Sequence, residues 1–384
     1  MDKDPNKPLT IIGSGLAGYT LARELRKRDS QRPIRIITAD AGYFYSKPML
    51  SNALRQHKTP EQLITATAAE MAQQLNAEIK THSPVTQVDV HQQLLQLNTE
   101  IIEYKELICA WGAQPISLPL AGTAVHQVYT INHLADYYGF RAALTPGQRV
   151  LIMGAGLIGC EFANDLQQAG FKVTIVDPEP YPLGRLVPPV VGQALKTALA
   201  QLGVQWYLAN KVTQIDNSQK TYQVELADGS CFTTELLLSA VGLQPQRALA
   251  PGLTIERGIV VDRYLRTQYS GIYALGDCAQ VETLLLPFVM PLMAAARALA
   301  QTLSGQLTAV HYPPMPIIVK TPALPITLLP PPLQVQGEWH VEQHKQAIRA
   351  LFLTPEQQLR GFALTGDYVT EKFKLLNDIP PLLT

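Results

Sequence analysis

Cysteine is scarce in this chain, and its placement excludes a good deal of chemistry. Cys109, Cys160, Cys231 and Cys278 are scattered, with no CxxC pair and no other metal-ligand spacing. They read as reduced thiols, mostly packed in cores, of a cytoplasmic protein without a metal site. An excess of one charge is lacking too: Lys+Arg and Asp+Glu are both 31, so no global field draws the chain to nucleic acid or to a membrane. Long hydrophobic runs are also missing. The most apolar stretch, LLLPFVMPLMAAA (284–296), holds two prolines and is too short to span a bilayer. The start, MDKDPNKP, lacks the apolar core of a signal peptide. The eight histidines form no Ser/His/Asp or His/Glu metal pattern; His57, His82, His126 and His133 read as surface or loop residues.

What is present is a duplicated nucleotide pattern. With 384 residues, 47 % of them apolar, the chain exceeds one ordinary core and should form two or three domains. LTII (9–12) reads as a strand, GSGLAG (13–18) as a glycine loop, YTLARELRKR as a helix, and IRIITAD (34–40) as a second strand ending in Asp40. Gly13 permits a tight turn, Gly15 lets backbone approach a pyrophosphate, and Gly18 lets the helix pack on the strand. The helix start offers free N–H groups to phosphate, and Asp40 can accept from an adenosine ribose. RVLIMGAGLIGCEFANDLQQAGFKVTIVDPEP (149–180) repeats the order, with Gly154, Gly156 and Gly159 in the loop and Asp177 at the strand end. Two such matches in their full context make coincidence a poor account.

A second repeat accompanies the first. ELICAWGAQP (106–115) and ELLLSAVGLQP (235–245) both run from a buried strand into A-x-G-x-Q-P, where glycine and proline turn the chain out of the sheet. One dinucleotide should then be a flavin and the other a nicotinamide. IYALGDCA delivers Gly276 and Asp277 at a strand end, just before an apolar helix-like run. Asp277 could accept from a ribityl chain, although a Gly-Asp pair also suits a simple turn. Asp177 favours two free ribose hydroxyls and repels a 2′-phosphate, and no Arg follows it until Arg185, so NADH is expected over NADPH.

The order GSGLAG, AWGAQP, GAGLIG, AVGLQP, YALGDCA resembles the two-dinucleotide flavoprotein reductases related to glutathione reductase, over nearly the whole chain. Within that group YSKPMLS, GLIGCEFANDL, VMPLMAAARALAQTL, PMPIIVKTPALP and GFALTG resemble the bacterial rubredoxin–NAD reductases, which pass electrons from NADH through FAD to rubredoxin for alkane hydroxylases. The resemblance implies an α/β fold with two Rossmann-like dinucleotide-binding domains and a small α+β C-terminal domain. It implies FAD at Gly13, Ser14, Gly15, Leu16, Ala17 and Gly18, with Ala39, Asp40 and Val85 toward the adenosine, and Asp277 and Val289 near the ribityl and ring. NADH would lie on Gly154, Gly156 and Gly159, with Asp177 and Gly242 also in the cofactor set. It further implies that Lys47, in SKP, lies beside the flavin and pairs with Glu161 as the catalytic pair, with Lys320 of VKTP supplying a second positive charge. Fixed ammonium groups there would stabilise a reduced flavin. The plainer alternative, a surface ammonium, is disfavoured for Lys47 by its uncharged aromatic and proline context and for Lys320 by its apolar flanks.

Many flavin reductases place redox cysteines where this chain has Ser46 and Lys47. Without a thiol relay, electrons should leave the flavin directly and singly, which suits a one-electron iron acceptor. Flavin-binding segments 1–117 and 245–316 would flank an inserted NAD-binding domain, 118–244, with 317–384 as the C-terminal domain. The proline-rich 313–332 reads as edge strands of that last unit. Rubredoxins are generally small and acidic, so a transient basic docking patch is expected. The candidates are Arg23, Arg26, Lys27 and Arg28; Arg55, His57 and Lys58; Lys345 and Arg349; and Lys372 and Lys374. A monomer or weak dimer is expected. Rival readings are a flavorubredoxin reductase in nitric oxide detoxification, the ferredoxin reductase of an oxygenase, and an NADH-binding redox sensor.

Overall fold

The computed structural model describes residues 7–246 and 249–384; the polar start of the chain, 1–6, lies outside the described residues. Two five-stranded parallel sheets are built alike. The first runs Ile272–Ala274, Glu106–Cys109, Leu9–Ile12, Ile34–Ile37, Glu78–Lys80. The second runs Tyr129–Thr130, Leu236–Ser239, Arg149–Met153, Lys172–Asp177, Gln205–Leu208. In each, the strand before the glycine loop is central, the acid-ended strand lies on one side and the E-L-x strand on the other. Strands such as LTII and VLIM are buried along their length, because parallel sheets carry helices on both faces and their strands become continuous apolar runs. Each half also contains a three-stranded antiparallel meander, 85–103 in one and 212–234 in the other.

The two A-x-G-x-Q-P repeats meet each other. Ala113–Pro115 pairs antiparallel with Leu243–Pro245, and Gln114 stands opposite Gln244. Gly112 (φ +74°) and Gly242 (φ +112°) precede the two strands in a backbone region that favours glycine.

Residues 317–365 form a five-stranded antiparallel sheet in the order Ile317–Val319, Ile326–Leu329, Leu359–Thr365, Ala347–Leu353, Glu338–His344, closed by the short helix Lys372–Asn377. The proline-rich segment thus supplies one edge strand, whereas Ile326–Leu329 is paired on both sides. Pro325 and Pro330 stand just outside it, where the missing N–H is harmless. Asp277 is followed by a short strand, Ala279–Val281, before the apolar helix Val289–Leu303. Cys109, Cys160 and Cys278 are buried and Cys231 is exposed, so one of the four thiols departs from the expected core placement.

Candidate functional site

Both glycine loops have room where a dinucleotide would need it. A Cβ on Gly15 or Gly156 would meet nothing within 4 Å, but one on Gly18 would lie 2.0 Å from the Gly13 carbonyl oxygen, and one on Gly159 1.9 Å from that of Gly154. The outer glycines therefore close helix onto strand, while the middle ones leave the backbone bare. Helices Leu16–Arg26 and Leu157–Gln168 begin there, and neither has a side-chain cap on its first amides. Uncapped N–H groups over open space are what a pyrophosphate requires. The residues present fit FAD and a nicotinamide dinucleotide.

The two strand-end acids differ. Asp40 Oδ1 accepts from Thr38 Oγ1 (2.8 Å), the Gly42 amide (2.9 Å) and Ser14 Oγ (3.3 Å). Asp177 has both oxygens occupied by backbone, Oδ2 by the Ala155 amide (2.5 Å) and Oδ1 by that of Glu179 (2.7 Å). The more accessible carboxylate at this strand end is Glu179, whose Oε1 holds Arg185 Nε at 3.0 Å. Ala39 is exposed, Val85 is buried in the same core as the first parallel sheet, and Val289 is 40 % exposed at its helix start.

The expected ion pair is made by a different lysine. Lys47 does not pair with Glu161; its Nζ donates to Asn132 Oδ1 at 2.5 Å. Glu161, 3 % exposed, receives Lys320 instead: Nζ lies 2.7 Å from Oε2, and the Lys320 amide donates to Oε1 at 3.0 Å. Ser51 Oγ donates to Oε2 at 2.5 Å, and Lys320 Nζ also reaches Ser51 Oγ (2.9 Å) and the Pro48 carbonyl. The reason is local. Residues Lys47–Asn52 form a 3₁₀ turn that brings Ser51, not Lys47, to the carboxylate, while the strand Ile317–Val319 ends with Lys320 beside it. Lys47 faces Asp277. Burial lowers the pKa of Lys47, against the pull of the Asp277 and Asp136 carboxylates; burial raises that of Asp277, against the pull of Lys47.

One helix organises all of this. In Leu157–Gln168 the polar residues Glu161, Asn164 and Asp165 are buried. Asn164 Oδ1 accepts from the Ala323 amide (3.1 Å), and Asp165 accepts from the Leu54 (3.0 Å) and Arg55 (2.9 Å) amides. A single helix thus clasps the segment after SKP and the segment after VKTP. Asn132, Ser51 and Asp165 went unmarked in the sequence reading. A signal existed for Asp165: three polar residues at i, i+3 and i+4 within the apolar body of the helix share one face. Among the described residues no group of His, Cys, Asp and Glu could hold a metal ion.

Residues 7–302 match the family Pyridine nucleotide-disulphide oxidoreductase. The chain belongs to that family. Residues 309–379 match a second family, Rubredoxin binding C-terminal domain. The oxidoreductase is 44 % identical over 98 % of its length to the "Rubredoxin-NAD(+) reductase" of Alcanivorax borkumensis, covering 99 % of that protein. It is 37 % identical over 97 % of its length to the "Nitric oxide reductase FlRd-NAD(+) reductase" of Vibrio vulnificus, covering 98 % of it. Its fold matches a putidaredoxin reductase in covalent complex with putidaredoxin, with a TM-score of 0.87 at 22 % identity, over 98 % of this chain and 94 % of that one. Although the family is named for disulphides, this oxidoreductase has Ser46 and Lys47 in the segment that leads into the clasp.

The basic clusters separate in the structure. Arg23 stacks on Phe44, Arg26 donates to the carbonyls of Leu75, Asp29 and Asn76, and Lys27 and Arg28 pair with Glu24. Arg349 pairs with Glu342 and Glu371. Among the described residues Lys58, Lys345, Lys372 and Lys374 have no carboxylate partner, and Lys372 and Lys374 flank Phe373, which is 71 % exposed. No helix among them is long and apolar enough to cross a membrane.

Proposed function

We propose that this oxidoreductase is a cytoplasmic NADH-dependent reductase that delivers single electrons from bound FAD to rubredoxin, in an alkane hydroxylase system. The observation that carries the reading is the Lys320–Glu161 pair. It draws a residue of the segment matched as rubredoxin-binding into the cluster around SKP. FAD, when bound, supplies a centre that accepts two electrons together and gives them up singly. The first loop, with Asp40, Ala39 and Val85, holds its nucleotide half; Asp277, Val289, Lys47 and Lys320 hold the other end.

Lys47 and Lys320 have separate tasks in this reading. Lys320 is neutralised by Glu161 and fixes the C-terminal sheet to the clasp helix. Lys47 has a neutral oxygen as its hydrogen-bond partner, with the Asp277 and Asp136 carboxylates acting on it only through space, and its charge stabilises negative charge on a reduced ring. The second loop, with Gly154, Gly156, Gly159, Asp177 and Gly242, holds NADH. Residues 1–117 with 245–316, 118–244 and 317–384 form the corresponding domains, a division supported by the membership of the three sheets. The higher identity to the Alcanivorax relative favours rubredoxin over a flavorubredoxin acceptor.

Stopped-flow absorbance tests this. The purified holoprotein is mixed with NADH, then with oxidised rubredoxin or a plant-type ferredoxin. Fast flavin bleaching followed by faster rubredoxin than ferredoxin reduction is expected. Bleaching with no reduction of either iron protein would remove the acceptor from the proposal.

A further inference from the structure

We propose that Asn132 is a positioning residue that holds the Lys47 ammonium at the flavin site without cancelling its charge. This rests on the reading that Lys47 faces the flavin, and it adds how the ammonium is fixed in place there.

The geometry of Asn132 leaves its amide one orientation. It is 1 % exposed. Nδ2 lies 2.8 Å from the Ala113 carbonyl oxygen, which can only accept, so the nitrogen must face Ala113. Oδ1 is thereby turned to Lys47 Nζ, at 2.5 Å. The second amide hydrogen points to His133 Nε2, 3.0 Å away. The backbone around it is pinned as well, because the Asn132 and His133 amides both donate to Asp136 Oδ2, at 2.9 and 2.8 Å. Every polar atom of the carboxamide is therefore in use.

The contrast with Lys320 gives this arrangement its meaning. Lys320 meets a buried carboxylate 2.7 Å away, which cancels its field at a distance. Lys47 meets a carbonyl oxygen, which satisfies one donor and carries no net charge. The Asp277 and Asp136 carboxylates act on Lys47 through space; a carboxylate at position 132 would add a direct partner and turn the second lysine into a contact ion pair like the first. It would also face the Ala113 carbonyl with an oxygen that has no hydrogen to give. An apolar residue would leave the ammonium without a fixed partner, and the lysine could swing away. Only a residue that accepts on one side and donates on the other serves both Lys47 and Ala113. Because Ala113 belongs to the short ribbon that pairs with Leu243–Pro245, Asn132 also ties the lysine to the crossing between the two parallel sheets.

The test is the reduction potential of the bound flavin, measured on purified holoprotein by equilibration with a reference dye, alongside flavin stoichiometry. Lys47→Met and Asn132→Asp should each make the reduced form about tenfold scarcer relative to the oxidised form at a given potential, close to 30 mV for a two-electron couple. Asn132→Leu should shift the potential in the same direction by less, and it serves if Asn132→Asp does not retain flavin. A purely structural Asn132 would alter flavin retention or melting and leave the potential where it is. If Lys47→Met shifts the potential and neither Asn132 variant does, the role of Asn132 is overturned while the placement of Lys47 stands. If Lys47→Met itself changes nothing, the placement of Lys47 beside the flavin fails and Asn132 falls with it.

Discussion

Lys320 and Glu161 lie 159 positions apart in sequence and join through both the side chain and the backbone of the lysine. Glu161 is almost wholly buried, so removing its partner strands a carboxylate and removing the carboxylate strands an ammonium. Glu161→Ala should destabilise the holoprotein by about 3 kcal/mol, the low end for a broken buried pair because Lys320 retains some solvent contact. The double variant Glu161→Gln with Lys320→Met should lose less than the sum of the two singles. Urea denaturation midpoints check both statements.

The glycine loops predict opposite outcomes for neighbouring substitutions. Gly18→Ala and Gly159→Ala drive a Cβ into a carbonyl oxygen at 2.0 and 1.9 Å and should lower the melting temperature clearly. Gly15→Ala and Gly156→Ala place it in open space. They should melt near the wild type when ligand-free, yet lose flavin retention and raise the KM for NADH, respectively, by roughly tenfold. Equal melting losses at all four positions would remove the distinction.

Asp165 should make stability fall as pH rises. Burial pushes its carboxyl up to about 6 from 3.8, against the two amide hydrogen bonds and the nearby Arg55 and Arg141. The folded state thus prefers the protonated acid. The contribution is complete below pH 3.8, declines as pH climbs through about 6, and is flat above; it amounts to about 3 kcal/mol across that window. Asp165→Asn should abolish this part of the slope. It should also start from lower stability, because its NH₂ would oppose one of the two amide donors. Chemical denaturation from pH 4 to 7 measures the difference between the two proteins.

Coenzyme choice should depend on Glu179. Its carboxylate holds Arg185, the first arginine after Asp177. Glu179→Ala frees a guanidinium near the strand end and removes a negative charge, so kcat/KM with NADPH should rise severalfold while that with NADH changes little. An unchanged ratio of the two would leave Asp177 alone as the determinant.

Lys372, whose ammonium lies 5.0 Å from the centroid of the exposed Phe373 ring, and Lys374, both without a carboxylate partner among the described residues, should steer an acidic partner. Lys372→Glu with Lys374→Glu should lower kcat/KM for rubredoxin about tenfold at low salt and much less at high salt. Reduction of ferricyanide, which needs no docked protein surface, should be unaffected. Loss of both activities would point to damage of the fold.

The parallel units were legible because their information is local. Strand, glycine loop, helix and terminal acid follow one another within a few dozen residues, and each residue type has one steric or electrostatic duty. The same holds for the A-x-G-x-Q-P turns. The partner of Glu161 was not legible in this way. Whether Lys47 or Lys320 reaches it depends on where a strand of the C-terminal sheet ends and how a 3₁₀ turn rotates Ser51. Sequence proximity to the SKP segment said nothing about either. Asn132 stood in an unremarkable mixed stretch, INHL, and gained importance only when Ala113 and Lys47 were brought to its two ends. The buried polar face of the clasp helix could have been read, since GCEFANDL places Glu161, Asn164 and Asp165 three and four positions apart.

Because Pro115 and Leu243 are paired neighbours, everything between them leaves and returns at one spot. Backbones so paired are about 5 Å apart, a gap that a two-residue turn spans. The intervening sheet is joined to the rest of the molecule both at this double crossing and through the clasp helix, which grips Ser51, Leu54, Arg55, Lys320 and Ala323. A twist about the crossing alone would leave both parallel sheets intact but would have to break the buried Lys320–Glu161 pair and the Asp165 bonds to Leu54 and Arg55, so the clasp fixes the distance between the two glycine loops.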